Sequence, residues 1–263
     1  MKKSRIEILL DALVNGQTAD IEPQSRTEAY LLALIKGESD VRQPKSRIEA
    51  YLYQLCKQGM GGGGDSLEGV FDGSVTEVNL PNITKIKDNA FRGETDITKV
   101  IMPKVTSIGK TAFGGCSKLE LTELPSGLIS IGAHAFESAS KVAISNIPSA
   151  ITVIDEYVFY GTAISSIELH EGITAIKSTA FGSCKGITSM LFPETLKTLS
   201  GAFSYCTNLA TVTFKGTPTS INTYTFQGCS NLKTINVPWA EGAVANAPWG
   251  ATYATINYNY TGE

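Results

Sequence analysis

Apolar residues in the central part of the chain recur every 22 or 23 residues. Each repeat carries a Phe in the same column: Phe91, Phe113, Phe136, Phe159, Phe181, Phe203 and Phe226. Five or six residues later, an apolar residue opens a run with apolar side chains at its first, fourth and sixth positions, as in Ile97-Thr-Lys-Val100-Ile-Met102. Pro often follows the run. Counting the run that begins at Val75, the pattern predicts eight short strands.

A repeat of this length with one strand per copy is typical of a solenoid. One coil cannot bury its own apolar side, so it must stack on its neighbours. We expect the strands of adjacent coils to lie about 4.8 Å apart in a parallel sheet, in a curved rod about 35 Å long. Phe then stacks on Phe inside the rod. A second column stacks Cys on Cys in four copies: Cys116, Cys184, Cys206 and Cys229.

This layout, L-x-x-L-x-L-P…I-x-x-x-A-F-x-x-C, resembles the BspA-like class of bacterial leucine-rich repeats over residues 75–238. The resemblance implies a right-handed leucine-rich-repeat solenoid. Members of that class are mostly cell-surface or host-contact binding proteins, so it also implies binding rather than catalysis. In two copies, Leu119-Glu-Leu121 and Val142-Ala-Ile144, the middle apolar position is shifted by one. We expect a local bulge or register change at 119–124 and 142–147.

Gly109-Lys110-Thr111 resembles the end of a phosphate-binding loop. Such a loop needs a further Gly five positions before its second Gly, where this chain has Lys104. The segment Ile108-Gly-Lys-Thr-Ala-Phe113 also occupies the same column as Ile131-Gly-Ala-His-Ala-Phe136. Lys110 and Thr111 are therefore interpreted as variable positions of the repeat, and a nucleotide site is not predicted.

The amino-terminal residues carry a different repeat. Three S-R-x-E segments begin at steps of 21, at Ser4, Ser25 and Ser46, and each predicts a capping box at the start of a helix. Gly16, Gly37 and Gly59 end the three segments. Apolar residues between these limits follow helical spacing, as in Ile6, Leu9, Leu10, Leu13 and Val14. Residues 1–58 are thus predicted to form three short amphipathic helices, as a small bundle or as a docking or oligomerisation module.

A Gly-rich linker, residues 59–65, follows. Tandem S-R-x-E helices ahead of a Gly tract are similar to the amino termini of structural proteins from phages and prophages of Gram-positive gut bacteria. That similarity implies that the helices dock onto a larger assembly or form a homo-oligomer. The predicted fold class is α+β: a right-handed leucine-rich-repeat solenoid of about eight 22–23-residue coils with a parallel sheet (66–238), preceded by a small three-helix segment and this linker.

Residues 239–263 break the period and contain both Trp residues of the chain, Trp239 and Trp249. Ala254, Ile256, Tyr258 and Tyr260 alternate with polar residues, as in a half-buried strand. We expect a carboxyl-terminal β cap that covers the last coil. A sugar-stacking or trimer-contact patch built from these aromatic residues is the alternative.

Charge and composition exclude several classes. The net charge is −3 with no basic block, which argues against nucleic-acid binding, and no apolar run is long enough for membrane insertion. Lys2 and Lys3 begin like a signal peptide, but Glu7 and Asp11 interrupt the apolar stretch, so no secretion signal is predicted. The absence of C-x-x-C predicts buried thiols rather than a metal site or a disulfide framework.

Neither His134 nor His170 has a Ser, Cys or carboxylate at a spacing that suggests a catalytic site. Both are expected to be solvated. No catalytic residue, metal ligand or cofactor-binding residue is assigned, and the chain is predicted not to be an enzyme.

The binding candidates follow from strand geometry, because residues that flank the middle apolar position point away from the core. They are Lys99, Ile101, Ser166, Glu168, Ser189, Leu191, Thr211, Thr213, Thr234 and Asn236. This surface suits a protein or glycan of a host surface, although its Ser and Thr content equally fits a solvated sheet. Two functions remain: a phage or prophage virion protein of the fibre or decoration type, and a bacterial cell-surface BspA-like adhesin.

Overall fold

Successive repeats lie on top of one another in the computed structural model, which describes residues 76–80 and 83–262. The described part of the chain is a right-handed parallel β-solenoid of about eight coils. Its strands are short: β1 (Glu77–Asn79), β2 (Lys85–Ile86), β3 (Lys99–Ile101), β4 (Ser107–Ile108), β5 (Ser130–Ile131), β6 (Val153–Ile154), β7 (Ala175–Ile176), β8 (Ser189–Phe192), β9 (Thr198–Leu199), β10 (Thr211–Phe214), β11 (Ser220–Ile221), β12 (Thr234–Asn236) and β13 (Thr255–Asn257). The predicted helices of residues 1–58 and the linker 59–65 lie outside the described residues.

The strands form two sets, and every strand pairing lies within one set and is parallel. The L-x-x-L-x-L runs supply β1–β3 and a four-stranded sheet of order β13-β12-β10-β8, which together we call the strand face. The side strands, in the orders β2-β4-β5 and β11-β9-β7-β6, end at an Ile five residues before Phe or, in β9, at Leu199, four residues before Phe203. Register follows the sequence period, since Val78 pairs with Val100 and Val212 with Ile235.

The strand face is interrupted in the two repeats whose middle apolar position is shifted. Leu119, Leu121 and Leu124 are all buried, which breaks the period of two that a half-buried strand requires. No strand is assigned at 119–124, and 142–147 contributes one isolated bridge, Asn146 to Glu168. The expected irregularity appears as a loss of strand pairing in these segments, while the one bridge keeps the same register as Asn79 with Ile101.

The Phe column is the core of the solenoid. All seven rings are fully buried, and successive ring centroids lie 5.0 to 6.3 Å apart. The planes of Phe91, Phe113 and Phe136 are within 5° of parallel. The backbone adds a second ladder, in which the N–H of Phe113 donates to the Ala135 carbonyl at 2.8 Å and equivalent bonds follow in other coils.

Each Phe is followed by a left-handed residue, and each except Phe226 is also preceded by one. The residue two positions after Phe always has a positive φ, and it is usually Gly or Ser. Two positions before Phe, Thr111 (φ 55°) and Thr179 (φ 55°) adopt the same region. Thr111 therefore serves a turn of the repeat, as expected from its column.

The Cys column links neighbouring coils through hydrogen bonds. The thiol of Cys116 donates to the Phe91 carbonyl at 2.9 Å, and that of Cys206 donates to the Phe181 carbonyl at 3.0 Å. Cys184 and Cys229 repeat the pattern. All four thiols are buried and free, which confirms the prediction of buried thiols. Burial raises the pKa of Cys184 to about 11 and the pKa of Cys116 to about 12.

The carboxyl-terminal segment adds one more rung. β13 pairs in register with β12, and the Trp249 carbonyl accepts the N–H of Phe226. Both Trp side chains are buried, and they contact each other at 6.3 Å and Phe214 at 5.2 and 6.5 Å. The two Trp side chains therefore pack inside the last coils and are not available as a sugar-stacking surface. Among the described residues, no helix is long and apolar enough to cross a membrane.

We expect Phe181→Ala to lower the free energy of unfolding by roughly 3–5 kcal/mol, because it leaves a cavity between two stacked rings. The neighbouring centroids lie at 5.5 Å (Phe159) and 5.3 Å (Phe203). Urea unfolding followed by circular dichroism measures the change. Val153→Ala, at a half-exposed position, is the matched control and should cost less than about 1 kcal/mol. Equal losses in the two variants would contradict the role given to the column.

Deleting residues 239–263 should cause aggregation, because it exposes Phe214 and the edge of β12. Light scattering and the melting temperature report the effect. Tyr253→Ala, which changes an exposed aromatic of the same segment, should leave both unchanged. A truncated chain that stays monodisperse and melts at the original temperature would refute the capping role.

The four buried thiols should react slowly with an aromatic disulfide reagent at about pH 8, because burial keeps them protonated and inaccessible. The test uses a Cys56→Ser background, which removes the one thiol outside the described residues. Urea should release all four thiols at once. Fast labelling in the folded protein would show that the column opens.

Candidate functional site

The ten positions predicted from strand geometry lie beside buried apolar residues, and they differ in exposure. Nine are exposed or half-buried, including Leu191, which is 50% exposed. Asn236 is buried instead, with 8% of its surface exposed. The reason is local, since the side chains of Thr213 and Asn257 hydrogen-bond to it from both sides.

The interruption of the strand face separates these positions into groups. Lys99 and Ile101 lie on β3, which pairs only with β1. Ser166 lies outside the named strands, and Glu168 forms only the isolated bridge. The four-stranded sheet brings the other six together: Ser189, Leu191, Thr211, Thr213, Thr234 and Asn236. We call the outward side of β8, β10, β12 and β13 the C-terminal strand face.

Thr255 and Asn257 complete the C-terminal strand face, and sequence reasoning missed them. They belong to β13, in the segment predicted to be only a cap. Their signal was the sequence Thr255-Ile-Asn257, which repeats Thr234-Ile-Asn236. Without the period of 22 or 23 residues, that short match did not predict a strand in register.

Two rows of side chains run across this face, and every member except Leu191 is short and polar. The first row is Ser189, Thr211, Thr234 and Thr255, and the second is Leu191, Thr213, Asn236 and Asn257. In the second row, the Asn236 amide donates to the Thr213 hydroxyl at 3.1 Å, and the Asn257 amide donates to the Asn236 carbonyl oxygen at 2.8 Å. Cross-strand hydrogen bonds of this kind hold the side chains in fixed conformations.

Charged groups surround the rows but do not enter them. Lys233 immediately precedes β12, and its ammonium lies 6.0 Å from the centre of the Tyr253 ring. Tyr253 is 77% exposed, the most exposed of the large hydrophobic side chains in the described residues. On the separate β1–β3 pair, by contrast, Lys99 lies 3.8 Å from Glu77. The C-terminal strand face thus presents hydroxyls and amides, with one exposed aromatic ring at its side.

The expectation of solvated histidines is wrong for both residues. The His134 ring stacks on Tyr157 at 4.8 Å, and its Nδ1 lies 2.9 Å from the Glu137 carboxylate. His170 accepts the Gly172 N–H at Nδ1, so that Nε2 carries the proton and donates to the Ile151 carbonyl at 3.1 Å. Both rings are half-buried and occupied by these contacts.

The histidine contacts have no nucleophile among them. Neither ring is hydrogen-bonded to a serine or cysteine in the part of the chain that the structure describes. Within the same residues, His, Cys, Asp and Glu do not form a group of three that could hold a metal ion. What the described arrangement can do chemically is to present fixed hydrogen-bonding groups to a ligand.

Six copies of the BspA type leucine-rich repeat region match residues 68–188 and 152–241. No curated protein matches the sequence. Among solved structures, a leucine-rich repeat protein of T. pallidum is 26% identical, covering 62% of this chain and 72% of that chain with a TM-score of 0.38. A leucine-rich repeat protein of Bacteroides ovatus is 18% identical, covering 72% of this chain and 63% of that chain, with a TM-score of 0.41.

A leucine rich cell surface protein of Faecalibacterium prausnitzii is also 18% identical, covering 72% of this chain and 74% of that chain with a TM-score of 0.38. The chain therefore spans less than two thirds of the Bacteroides ovatus protein and somewhat more of the other two. The repeat match itself extends over well more than half of the sequence. On that match, the chain belongs to the BspA-type leucine-rich repeat family.

Proposed function

We propose that this chain is a non-enzymatic binding protein of a bacterial cell surface, and that its C-terminal strand face contacts a protein or glycan of a host surface. The observation that carries the proposal is the pair of uncharged rows on β8, β10, β12 and β13, which are polar except at Leu191 and of which the second is ordered by hydrogen bonds. Family membership supports it, because BspA-like repeat proteins are associated with cell surfaces.

Preorganisation favours binding at these rows. Immobilising a flexible interface side chain costs roughly 0.5–1.5 kcal/mol on association. Ser, Thr and Asn are short, and Asn236 is already fixed by hydrogen bonds to Thr213 and Asn257. A ligand that meets this face therefore loses little of its binding free energy to ordering the protein.

The ladder also leaves groups for a ligand. The Thr213 hydroxyl accepts from Asn236, so its own proton is available to donate. The Asn257 amide donates one N–H to Asn236 and keeps a second N–H and its carbonyl oxygen. Because adjacent strands lie about 4.8 Å apart, these groups recur at a regular spacing along the face.

The cell-surface location replaces the virion as the preferred proposal. The virion prediction depends on the resemblance of residues 1–58, which lie outside the described residues. The family match covers residues 68–241 and supports the adhesin alternative. That the amino-terminal helices dock onto a larger assembly or form a homo-oligomer stays a prediction.

We expect the full chain to bind host epithelial cells or their mucins saturably, and Thr234→Glu to weaken that binding about tenfold by burying a charge under the ligand. Thr234 lies in the middle of the first row. Flow cytometry with labelled protein and arrays of host proteins and glycans measure the effect.

Ser220→Glu is the matched control, since it places the same side chain on β11, among the side strands. It should bind like the wild type, with circular dichroism confirming that both variants fold. Equal binding by both variants would reject the C-terminal strand face. Antibody labelling of intact source cells, with mass spectrometry of particles from the culture, tests the location; recovery in particles alone would restore the virion alternative.

A further inference from the structure

The turn that follows the Phe column is one residue shorter in a single repeat. Six residues separate Phe136 from Val142 and Phe181 from Ile187, but only five separate Phe159 from Ile164. The missing residue belongs to the corner where the chain leaves the Phe column and approaches the strand face. The solenoid around it keeps its stacking, with Phe159 and Phe181 at 5.5 Å.

The shortened turn leaves an open notch of about 680 Å³ on the surface. Tyr160, Thr162 and Ala163 line it from the short turn, and Ser183, Lys185 and Gly186 line it from the next coil. Ligand sites for small molecules typically occupy about 300–1,000 Å³. The notch is therefore large enough for one or two sugar rings, and it lies outside the rows of the strand face.

In three other coils the residue just before the strand run makes a side-chain contact with the preceding coil. Lys118 lies 2.8 Å from Asp96, Lys141 lies 2.6 Å from Glu120, and the Asn208 amide donates to the Lys185 carbonyl at 2.8 Å. At the notch this position is held by Ala163 and Gly186, which have no side chain to continue the ladder.

The structure also explains why Gly186 is small. A Cβ at Gly186 would lie 2.7 Å from the Ile164 carbonyl oxygen and 3.0 Å from the Ser165 Cα, because the short turn brings that backbone close. Any larger residue would have to displace backbone. The backbone of Ile164 and Ser165 therefore restricts position 186 to Gly, which adds no side chain to the notch.

The walls of the notch carry distinct chemistry. The Tyr160 ring is held by Tyr157, whose centroid lies 5.7 Å away, and it packs over Gly182. Lys185 forms no ion pair with any residue that the structure describes, whereas Lys118 and Lys141 in the equivalent corners are both paired. A fixed aromatic ring, a hydroxyl at Ser183 and an unpaired ammonium therefore surround one space.

We propose that this notch binds an acidic sugar residue, a pyranose that carries a carboxylate. The ring would stack on Tyr160, its hydroxyls would bond Ser183, and its carboxylate would pair with Lys185. A neutral sugar has no negative charge to pair with Lys185, and an acidic peptide has no sugar ring to stack on Tyr160. The notch lies apart from the C-terminal strand face, so the proposal does not depend on the function proposed for that face.

The test is a ligand-observed NMR titration of the full chain with the methyl glycosides of N-acetylneuraminic acid and glucuronic acid. Methyl glucoside is the neutral comparison, and a glutamate oligopeptide is the acidic one. We expect at least one acidic glycoside to bind about tenfold more tightly than methyl glucoside, and added salt to weaken it because the pair is exposed. Which acid binds distinguishes a sialylated from a uronate-containing source.

Lys185→Gln should weaken the acidic glycoside about tenfold, and Lys185→Arg should retain binding. Ala163→Leu should abolish binding by filling the notch. Lys197→Gln, which removes an exposed lysine elsewhere on the solenoid, should change nothing. Unchanged melting temperatures show that the variants fold.

Three results would overturn the proposal. They are equal affinity for methyl glucoside, equal or tighter binding of the glutamate oligopeptide, and full binding by Lys185→Gln or Ala163→Leu. Absence of saturable binding of both acidic glycosides would overturn it as well. None of these outcomes affects the Thr234→Glu comparison, so failure of the notch and failure of the strand-face function are distinguishable.

Discussion

Stacking of one Phe on the next is the interaction on which the rest of this solenoid depends. The rings lie 5.0 to 6.3 Å apart and are excluded from water. Beside them, the N–H of each Phe except Phe226 donates to the carbonyl before the Phe of a neighbouring coil, as from Phe91 to Ala112 at 2.7 Å, and Phe226 donates to the Trp249 carbonyl. Together the two ladders fix how far each coil rises. The alignment of polar rows on the strand face follows, because their register is set by the same rise.

The column also determines which residues its turns can hold. A left-handed conformation costs a β-branched residue roughly 1–2 kcal/mol, yet Thr111 and Thr179 both adopt it at φ 55°. The turns are tolerated because each is bonded to its neighbour, as when the Thr111 N–H donates to the Ala133 carbonyl at 3.0 Å. The resemblance of Gly109-Lys110-Thr111 to a phosphate loop therefore has a structural origin in the repeat. The same left-handed position is held by Asn89, His134 and Tyr157 in other coils, so the turn is kept while its side chain varies.

The sequence period was sufficient to predict the Phe and Cys columns and the interruption near Leu121. These features can be seen in the sequence because they depend on the spacing of apolar residues, which either repeats or fails. The period was not sufficient for the side strands, such as β4 at Ser107–Ile108, since two residues cannot show an alternation. The sequence predicted a strand within residues 254–260, but it did not predict that β13 pairs in register with β12, because the spacing of the repeats fails there. The sequence period also could not predict the hydrogen-bond partners of His170, because the Ile151 carbonyl comes from a different coil. Of the candidate binding face, six positions on three adjacent strands could be inferred, but their separation from Lys99 required the fold.

The notch shows that a change in the length of a turn alters the surface of the solenoid and not the Phe column. Phe159 and Phe181 remain 5.5 Å apart although the turn between them is one residue shorter. Since the stack does not yield, the missing volume appears outside it, beside Lys185. A substitution at one exposed position changes one side chain. The shorter turn instead leaves the corner without the side-chain contact that three other coils make there. A change in the length of the turn after the Phe can thus give such a repeat a concave site while the packing of its core stays the same.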